Sequence, residues 1–238
     1  MSRGTRTYNP GVESPRPDEF GGLTLAGFVD RLASSDPVPG GGSASAVAAS
    51  LGAALVAMVA SLSQGRPRYA QHDSMLAAAA TNGRELAARF LRLADEDARA
   101  YAQFAEALKL PKEPEAAAEA RKLATRRAAR AAADIPLDCV EACLALVSTA
   151  EALAGRSNVN ASSDLNVAAL LAEAAARGAA ANVLTNLPAV GDEEYAGKAM
   201  RRVEDLLREI SKVANSTREA VMSGQARDPL ELAARDAS

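Results

Sequence analysis

The chain of 238 residues has no tryptophan, four tyrosines and four phenylalanines, so aromatic side chains make up only 3% of it. Nowhere does an alternation of apolar and polar residues persist for the length of a strand, as a β-sandwich or barrel requires. Alanine instead makes up roughly a quarter of the sequence, and its small side chain favours closely packed helices. These features exclude an all-β fold and predict an all-α one.

The chain also has little net charge and few metal-binding side chains. Its formal charge of −3 provides no general basic field for nucleic acid or an anionic membrane. Cys139 and Cys143 are four residues apart in a helical pattern, and the one histidine, His72, is distant in sequence. We therefore expect no metal site and two small apolar thiols in a reducing compartment. No basic-then-apolar segment opens the chain, so we expect a cytoplasmic protein.

Residues 37–65 form a run of 29 residues without a charged side chain. The run is long enough to cross a bilayer, but glycine and serine dilute it throughout, which is untypical of a lone membrane span. We therefore expect no membrane insertion. An uncharged helix is instead predicted at the centre of a helical bundle or at an oligomer interface. Its strongest apolar face, at helical spacing, consists of Val47, Leu51, Leu55, Met58 and Leu62.

The remaining sequence divides into one domain and two tails. Proline, glycine and mixed charges in residues 1–22 predict a flexible N-terminal tail. Helical periodicity without an internal repeat predicts a single all-α domain, a helical bundle over residues 23–223, followed by a frayed C-terminal tail at 224–238. Pro136 interrupts a long helical pattern, and we expect a kink or break there because proline removes a helical hydrogen bond.

A glycine-rich loop precedes the uncharged helix. It consists of Pro39, Gly40, Gly41, Gly42 and Ser43. Such a loop exposes backbone N–H groups at a helix N-terminus, where the helix dipole favours an anion or a carbonyl oxygen. The same residues also fit a tight turn that Ser43 caps, since the loop matches neither a Walker A nor a dinucleotide-binding motif.

Seven short segments, in order along the chain, carry a more specific signal. They are PGGGS at 39–43, LGAAL at 51–55, DARAY at 97–101, LPK at 110–112, IPL at 135–137, NVNASSDL at 158–165 and NVLTNL at 182–187. Together they resemble the cyclodeaminase domain of the formiminotransferase-cyclodeaminase family, which includes stand-alone bacterial methenyltetrahydrofolate cyclohydrolases. One departure is that Arg156 and Ser157 follow Gly155 where the family often has Gly-Asn.

The resemblance implies an all-helical, homodimeric, cytoplasmic enzyme with a cleft near the dimer interface. Its substrate would be a tetrahydrofolate derivative, with or without a polyglutamate tail, and no further cofactor is expected. We predict hydrolysis of 5,10-methenyltetrahydrofolate to 10-formyltetrahydrofolate. The alternative is a formimidoyltetrahydrofolate cyclodeaminase that releases ammonia and forms 5,10-methenyltetrahydrofolate. A second alternative is a non-catalytic helical folate-binding or scaffold protein.

With this resemblance, Asp164 is the predicted catalytic acid/base. Both reactions pass through a tetrahedral carbon between N5 and N10 and move protons on and off nitrogen or water, which a positioned carboxylate can do. We expect Asp164 and the glycine-rich loop to converge on the one-carbon bridge. Without the resemblance, Ser163 or Asp164 would more simply cap the helix that begins at Leu165.

Further polar residues are predicted to bind the substrate. Asp97 and Tyr101 are four residues apart on one helical face and can orient a pterin, or form a surface pair. Lys112 can meet a glutamate tail, or be solvated. Asn182 and Asn186 share a face with Asp164, but 18 residues of helix place Asn182 about 27 Å from it. They would therefore contact the glutamyl end, serve a site completed by another subunit, or hydrogen-bond a neighbouring helix.

Residues 121–130 contain five basic side chains and no acidic one. This run can attract a polyglutamyl tail or RNA, but it is more simply a solvated helix face on which Glu119 pairs with Lys122. No aromatic residues interleave for base stacking, so we expect no nucleic-acid partner. His72 is expected on the surface.

Overall fold

The computed structural model describes residues 19–230, and no strand occurs among them. Short 3-10 helices lie at Phe20–Gly22, Pro67–His72 and Val159–Ala161. The α-helices of the described chain are α1 (Leu25–Leu32), α2 (Gly41–Ser63), α3 (Asp73–Lys109), α4 (Glu115–Leu153), α5 (Ser162–Val190) and α6 (Glu193–Ser223). The predicted all-α bundle is confirmed.

The uncharged helix α2 packs against α3, α4 and α5. Small residues allow this packing to be close, since a Cβ added at Gly83 of α3 would lie 2.8 Å from the backbone nitrogen of Ala57. The face of α2 that contains Ala49, Ala53 and Val56 is fully buried. Residues 19–230 leave the opposite face exposed, with Leu51 54% exposed, so within the described chain α2 is central on one side only.

Helices α2 and α5 run antiparallel with their backbones close together. A Cβ added at Gly178 of α5 would lie 2.3 Å from Oγ of Ser45. At the other end of the pair, the backbone N–H of Asn158, just before α5, donates to Oγ of Ser63 at 2.8 Å. The N-terminus of α2 is therefore beside the C-terminal half of α5, and its C-terminus is beside the start of α5.

The predicted break at Pro136 does not occur, because α4 is continuous from Glu115 to Leu153. Pro136 has no N–H to donate to the carbonyl of Ala132, four residues earlier. That carbonyl instead accepts a hydrogen bond of 2.7 Å from Nδ2 of Asn186 on α5. A neighbouring helix thus supplies the missing donor.

Both predicted tails extend too far into the sequence. The ring of Phe20 is buried against Phe28 with centroids 5.6 Å apart, and its backbone N–H donates to Asp95 at 2.8 Å. At the other end, the backbone N–H of Arg227 donates to the carbonyl of Gly155 at 2.9 Å. Phe20 is therefore packed on the bundle, and the segment 224–230 is hydrogen-bonded to it at Arg227 and Asp228 although its other residues are exposed. Residues 1–18 and 231–238 lie outside the described residues.

Two stretches of the described residues are long and apolar enough to cross a membrane, by length and composition alone. They are Gly41–Ser63 and Val159–Val190, whose most apolar windows have mean hydropathies of 2.0 and 1.3 and are 50% and 44% buried. Core helices of globular proteins meet the same criterion, so this is weak support for a membrane span.

Candidate functional site

Asp97 of α3 lies over the N-terminus of α2. Oγ of Ser43 is 2.9 Å from Oδ2 of Asp97 and 3.0 Å from the carbonyl oxygen of Ala94. The backbone N–H of Ser43 also donates to the Asp97 carboxyl. Since Gly40, the N-cap residue that precedes α2, has no side chain to cap the helix, the Asp97 side chain of α3 caps it instead.

Gly42 is what allows the carboxyl to come so close. A Cβ at this position would lie 2.3 Å from Oδ1 of Asp97, a distance that no real side chain tolerates. A Cβ at Gly41 would meet only Nδ2 of Asn182 at 3.8 Å, and one at Gly40 only the carbonyl of Pro37 at 3.8 Å. Of the three consecutive glycines, only Gly42 is required by this contact.

The surroundings of Asp97 change its affinity for a proton. Burial raises the pKa of the carboxyl, and the hydrogen bonds from Ser43 oppose that rise without cancelling it. The result is a carboxyl that takes up a proton more readily than an ordinary aspartate. A raised pKa and a position at the end of a helix, where unpaired N–H groups are found, suit an acid/base group.

Asn182 is the other predicted residue that the fold brings to this point. Its side chain lies beside Gly41, and its Nδ2 donates to the carbonyl of Gly178 at 2.9 Å. Tyr101 is exposed on α3, one turn beyond Asp97. Lys112 is exposed in the connection between α3 and α4.

Asn186 uses its amide nitrogen for the bond to Ala132 of α4. Of the three possibilities considered for this residue, the hydrogen bond to a neighbouring helix is the one present in the fold. The predicted residues that assemble around one point are thus Gly41, Gly42, Ser43, Asp97 and Asn182, with Pro39 and Gly40 leading into α2.

Asp164 does not join this group within one chain. It lies in the first turn of α5, about 27 Å along that helix from Asn182. The antiparallel packing of α2 and α5 places it beside the C-terminal half of α2, so the expected convergence with the glycine-rich loop is wrong for a single chain. The capping alternative is wrong too, because α5 begins at Ser162 without a side-chain cap. The acid/base role of Asp164 stays a prediction.

His72 is buried, with 5% of its surface exposed, so the expectation of a surface residue is wrong. Burial lowers the pKa of its imidazole, and the nearby Arg156 cation lowers it further. Arg156 itself is only 6% exposed and donates to the backbone carbonyls of Ala152 and Asp228. The residues by which this chain departs from the family pattern are thus anchored in the fold.

A polar cluster that the sequence did not reveal joins α4 to α6. The hydroxyl of Tyr195 donates to Asp134 at 2.7 Å, and the guanidinium of Arg130 lies 3.4 Å from the ring centroid of Tyr195. Burial and the bond to Asp134 raise the pKa of Tyr195. The partners are 61 residues apart, so no local pattern could have indicated the contact.

The basic run of residues 121–130 is partly engaged within the chain. Arg130 has the partners just described, Arg121 donates to the carbonyl of Leu108, and Lys122 pairs with Glu119 at 3.6 Å as predicted. Cys139 and Cys143 are buried free thiols, as expected. Within residues 19–230, no group of three or more histidine, cysteine or acidic side chains has metal-binding geometry.

A separate apolar cleft of about 440 Å³ lies between the end of α5 and the start of α6. It contains none of the predicted site residues. Its lining is Leu184, Leu187, Pro188, Gly191, Asp192, Glu193, Ala196 and Met200.

These helices and their site define an all-α protein in which a partly buried carboxyl caps a glycine-initiated helix of the bundle. The chain belongs to the formiminotransferase-cyclodeaminase family, which it matches over residues 24–205. The resemblance inferred from the short motifs is thereby confirmed.

Similar proteins include both enzymes that the motifs suggested. The methenyltetrahydrofolate cyclohydrolase of Methylorubrum extorquens is 34% identical over 203 residues, which are 85% of this chain and 98% of that protein. The formimidoyltransferase-cyclodeaminase of Mus musculus is 36% identical over 186 residues, which are 78% of this chain but only 34% of that protein. The solved structure of formiminotetrahydrofolate cyclodeaminase from Thermotoga maritima has a TM-score of 0.78 at 25% identity, covering 84% of this chain and 96% of that one.

Proposed function

We propose that this chain is a folate one-carbon enzyme that hydrolyses 5,10-methenyltetrahydrofolate to 10-formyltetrahydrofolate. The cyclohydrolase of Methylorubrum extorquens supports this reaction, since the similarity extends over 98% of its length. The observation that carries the proposal is the Asp97 carboxyl, which approaches the start of α2 through the gap left by Gly42 and accepts hydrogen bonds from Ser43.

The substrate has a delocalised positive charge over N5, the bridge carbon and N10, so a carboxylate beside the bridge attracts it. Asp97 then acts as a general base: it removes a proton from a water molecule while the oxygen of that water bonds to the bridge carbon. The protonated Asp97 next donates to N5 as the bond between N5 and the carbon breaks. The remaining hydroxyl proton goes to solvent, which leaves the formyl group on N10.

The N-terminus of α2 supplies backbone N–H groups, which this chemistry needs to stabilise the oxygen of the tetrahedral intermediate. The first backbone N–H groups of a helix have no acceptor within it. Those of Gly41 and Gly42 can stabilise the oxygen that gains negative charge when the tetrahedral carbon collapses. The amide of Asn182, beside Gly41, can orient the folate by a polar contact.

Cyclodeamination is the alternative reaction, and the similarity to the Thermotoga maritima cyclodeaminase favours it. There N10 attacks the formimino carbon on N5, and ammonia leaves after it receives a proton. The same Asp97 carboxyl would donate that proton, since burial makes this carboxyl take up a proton more readily than an ordinary aspartate does. The two reactions therefore share one acid/base group and differ in the substrate that is offered.

Two further parts of the proposal concern the oligomeric state and the polyglutamate tail of the substrate. We propose a cytoplasmic homodimer, since the uncharged helix α2 keeps one apolar face exposed. We also propose that the exposed Arg126 and Arg127, with Lys112, receive a polyglutamate tail when the folate has one. Tyr101, one turn from Asp97, would flank the pterin.

The test is the loss of near-ultraviolet absorbance of 5,10-methenyltetrahydrofolate, measured against a blank because this compound opens slowly unaided. Wild type should accelerate the loss, and Asp97→Asn should lower kcat/KM by about 100-fold or more. Glu106→Gln, an exposed charge removed from the same helix, is the matched control and should keep full activity. If wild type acts only on formimidoyltetrahydrofolate, the cyclodeaminase alternative is the correct function. If it binds folates but turns over neither, the non-catalytic alternative is correct.

A further inference from the structure

Ser43 and Ser50 of α2 both donate through their hydroxyl groups to carbonyl oxygens of α3. Oγ of Ser43 is 3.0 Å from the carbonyl oxygen of Ala94, and Oγ of Ser50 is 2.9 Å from that of Ala87. The two serines are seven residues apart, which is about two helical turns, and so are the two carbonyls. The same kind of bond therefore joins α2 to the antiparallel α3 at two points.

Ser43 differs from Ser50 because it has a second acceptor. Its Oγ is also 2.9 Å from Oδ2 of Asp97, about one turn along α3 from Ala94. A serine hydroxyl has one proton, so it can donate fully to only one of these two oxygens at a time. Ser43 is fully buried, so bulk water does not compete for that proton.

The protonation state of Asp97 decides which oxygen receives the proton of the hydroxyl. A hydrogen bond to an ionised carboxylate is roughly twice as strong as one between neutral groups. The Ser43 hydroxyl therefore donates to Oδ2 when Asp97 is ionised. Once Asp97 is protonated, its oxygens are weaker acceptors than a peptide carbonyl. The Ala94 carbonyl, which has a second lone pair beside its helical hydrogen bond, then receives the proton instead.

The two oxygens of the Asp97 carboxyl have different surroundings. Oδ2 faces Ser43, and it is the oxygen that makes the side-chain hydrogen bond of Asp97 within residues 19–230. Oδ1 lies over Gly42, 2.3 Å from the position that a Cβ there would take. With Oδ2 engaged by Ser43, Oδ1 is the oxygen left to take up a proton at the start of α2.

We propose that Ser43 is a positioning residue for the acid/base chemistry of Asp97, and that its hydroxyl turns from Oδ2 to the Ala94 carbonyl when Asp97 takes up a proton through Oδ1. The hydroxyl keeps its own proton throughout, and the transferred proton moves only between water, Asp97 and N5. In both states the buried hydroxyl has an acceptor, so neither state leaves its proton unpaired. This inference rests on the proposed function and adds a residue to it.

Ser43 can tune this carboxyl because the neighbouring helices bring no charge to it. Helix α2 contains no charged side chain, and the nearby residues of α5 are Gly178 and Asn182. Tyr101, the titratable group one turn further along α3, is 46% exposed. Burial raises the pKa of Asp97, the two hydrogen bonds from Ser43 lower it, and no charged residue of the described chain contributes. Removal of the Ser43 hydroxyl should therefore raise this pKa.

The test compares Ser43→Ala with Ser50→Ala. Both remove a hydroxyl that joins α2 to α3, so both should lower the melting temperature by similar amounts. Only Ser43→Ala removes a donor to Asp97. The acid limb of its kcat/KM profile, below which the base is protonated, should therefore move to higher pH by about one unit. Ser50→Ala should keep the wild-type midpoint. Equal midpoints in the three proteins would overturn the proposal.

A second comparison asks whether Ser43 acts through Asp97. On the acid limb, Ser43→Ala should lower kcat/KM about tenfold in the wild-type chain, since one pH unit changes the ionised fraction by that factor. In an Asp97→Asn background the same change should lower the residual kcat/KM by less than about twofold. An equal loss in both backgrounds would mean that Ser43 acts on the substrate directly, which would overturn a role through Asp97.

The pKa of Asp97 can also be followed without turnover. With carbon-13 in the aspartate carboxyl groups, the NMR signal that Asp97→Asn removes belongs to Asp97. Ser43→Ala should raise the midpoint of its titration by about one pH unit, and Ser50→Ala should leave it unchanged. An unchanged midpoint in Ser43→Ala would overturn the proposal. A raised midpoint in a protein that acts on neither folate would instead refute the proposed function, and with it the catalytic use of the hydrogen bond.

Discussion

The side-chain nitrogen of Asn186 donates a hydrogen bond of 2.7 Å to the backbone carbonyl of Ala132. In a regular helix that carbonyl would accept the N–H of residue 136, which is a proline here and has none. A side chain of α5 thus replaces the hydrogen bond that α4 lacks. This explains how α4 passes through Pro136 without a break, and it fixes α4 against α5 close to the residues around Asp97.

The first prediction is that Asn186 and Pro136 are energetically coupled. Asn186→Ala should destabilise the wild-type protein by about 1–3 kcal/mol, because it leaves a partly buried carbonyl without a donor. In a Pro136→Ala background the alanine N–H can serve that carbonyl, so the same change should cost less. Denaturant unfolding of the four proteins in this cycle measures the coupling.

Thr185→Ala is the control for that cycle. The Thr185 hydroxyl bonds only to its own helix, at Ala181, so its removal should cost the same in both backgrounds. If Asn186→Ala lowers the unfolding free energy equally with and without Pro136, the hydrogen bond from Asn186 to Ala132 does not compensate for the proline.

The sequence predicted those features of the fold that depend on residues close to one another along the chain. Helical periodicity predicted the all-α fold and grouped Leu51 and Met58 on one apolar face of α2. That face is the exposed one, because Ala49, Ala53 and Val56 on the other side are buried, so periodicity did not specify which face packs on the bundle. It does not specify how far one helix is shifted along another. The contact between Asp97 and Gly42, and the separation of Asp164 from both, follow from such shifts and could not be read from spacing alone.

Contacts between distant segments account for the other differences. His72 is followed by polar and small residues, and its burial depends on Arg156 and on the segment after α6. The same segment, which its composition marked as frayed, is held by Gly155 and Glu151 through Arg227. Such contacts join residues that are more than 70 positions apart, so no window of sequence contains both partners.

The second prediction separates the three consecutive glycines. Gly42→Ala should displace the Asp97 carboxyl, since the added Cβ would lie 2.3 Å from Oδ1. We expect a loss of about 1–3 kcal/mol of stability and most of the activity. Gly40→Ala is the matched control, because its added Cβ has only an ordinary contact of 3.8 Å and its φ of −116° suits alanine. Thermal unfolding and the absorbance assay compare the two, and equal behaviour would contradict the role given to Gly42.

The third prediction is that Asp97 is important for activity but unfavourable for stability at neutral pH. Its folded pKa is raised above the ordinary value of 3.8, chiefly by burial. Between those two pKa values the folded chain binds more protons than the unfolded chain, so this group makes stability fall as the pH rises. Asp97→Asn removes a partly buried ionisable group and keeps a side chain that can cap α2. We expect its unfolding free energy at pH 7 to equal or exceed that of wild type while activity is lost.

Unfolding in denaturant at pH 7, alongside the absorbance assay, decides this prediction. A large loss of stability in Asp97→Asn would mean that the ionised carboxylate is needed to hold α2 in place. The activity loss would then report damage to the fold rather than the loss of an acid/base group.

The last prediction concerns His72 and the acid side of the stability profile. Burial, and then the Arg156 cation, lower its folded pKa below the ordinary value of 6.5. Between the two values the unfolded chain binds the extra proton, so the free energy of unfolding increases with pH up to about 6.5 and decreases as the pH falls through that window. His72→Gln cannot titrate and should flatten this part of the profile. Since His72 is the one histidine of the chain, no other imidazole contributes there. Melting temperatures of both proteins between pH 5 and pH 8 test the difference, and parallel profiles would mean that the pKa of His72 is the same in the folded and the unfolded chain.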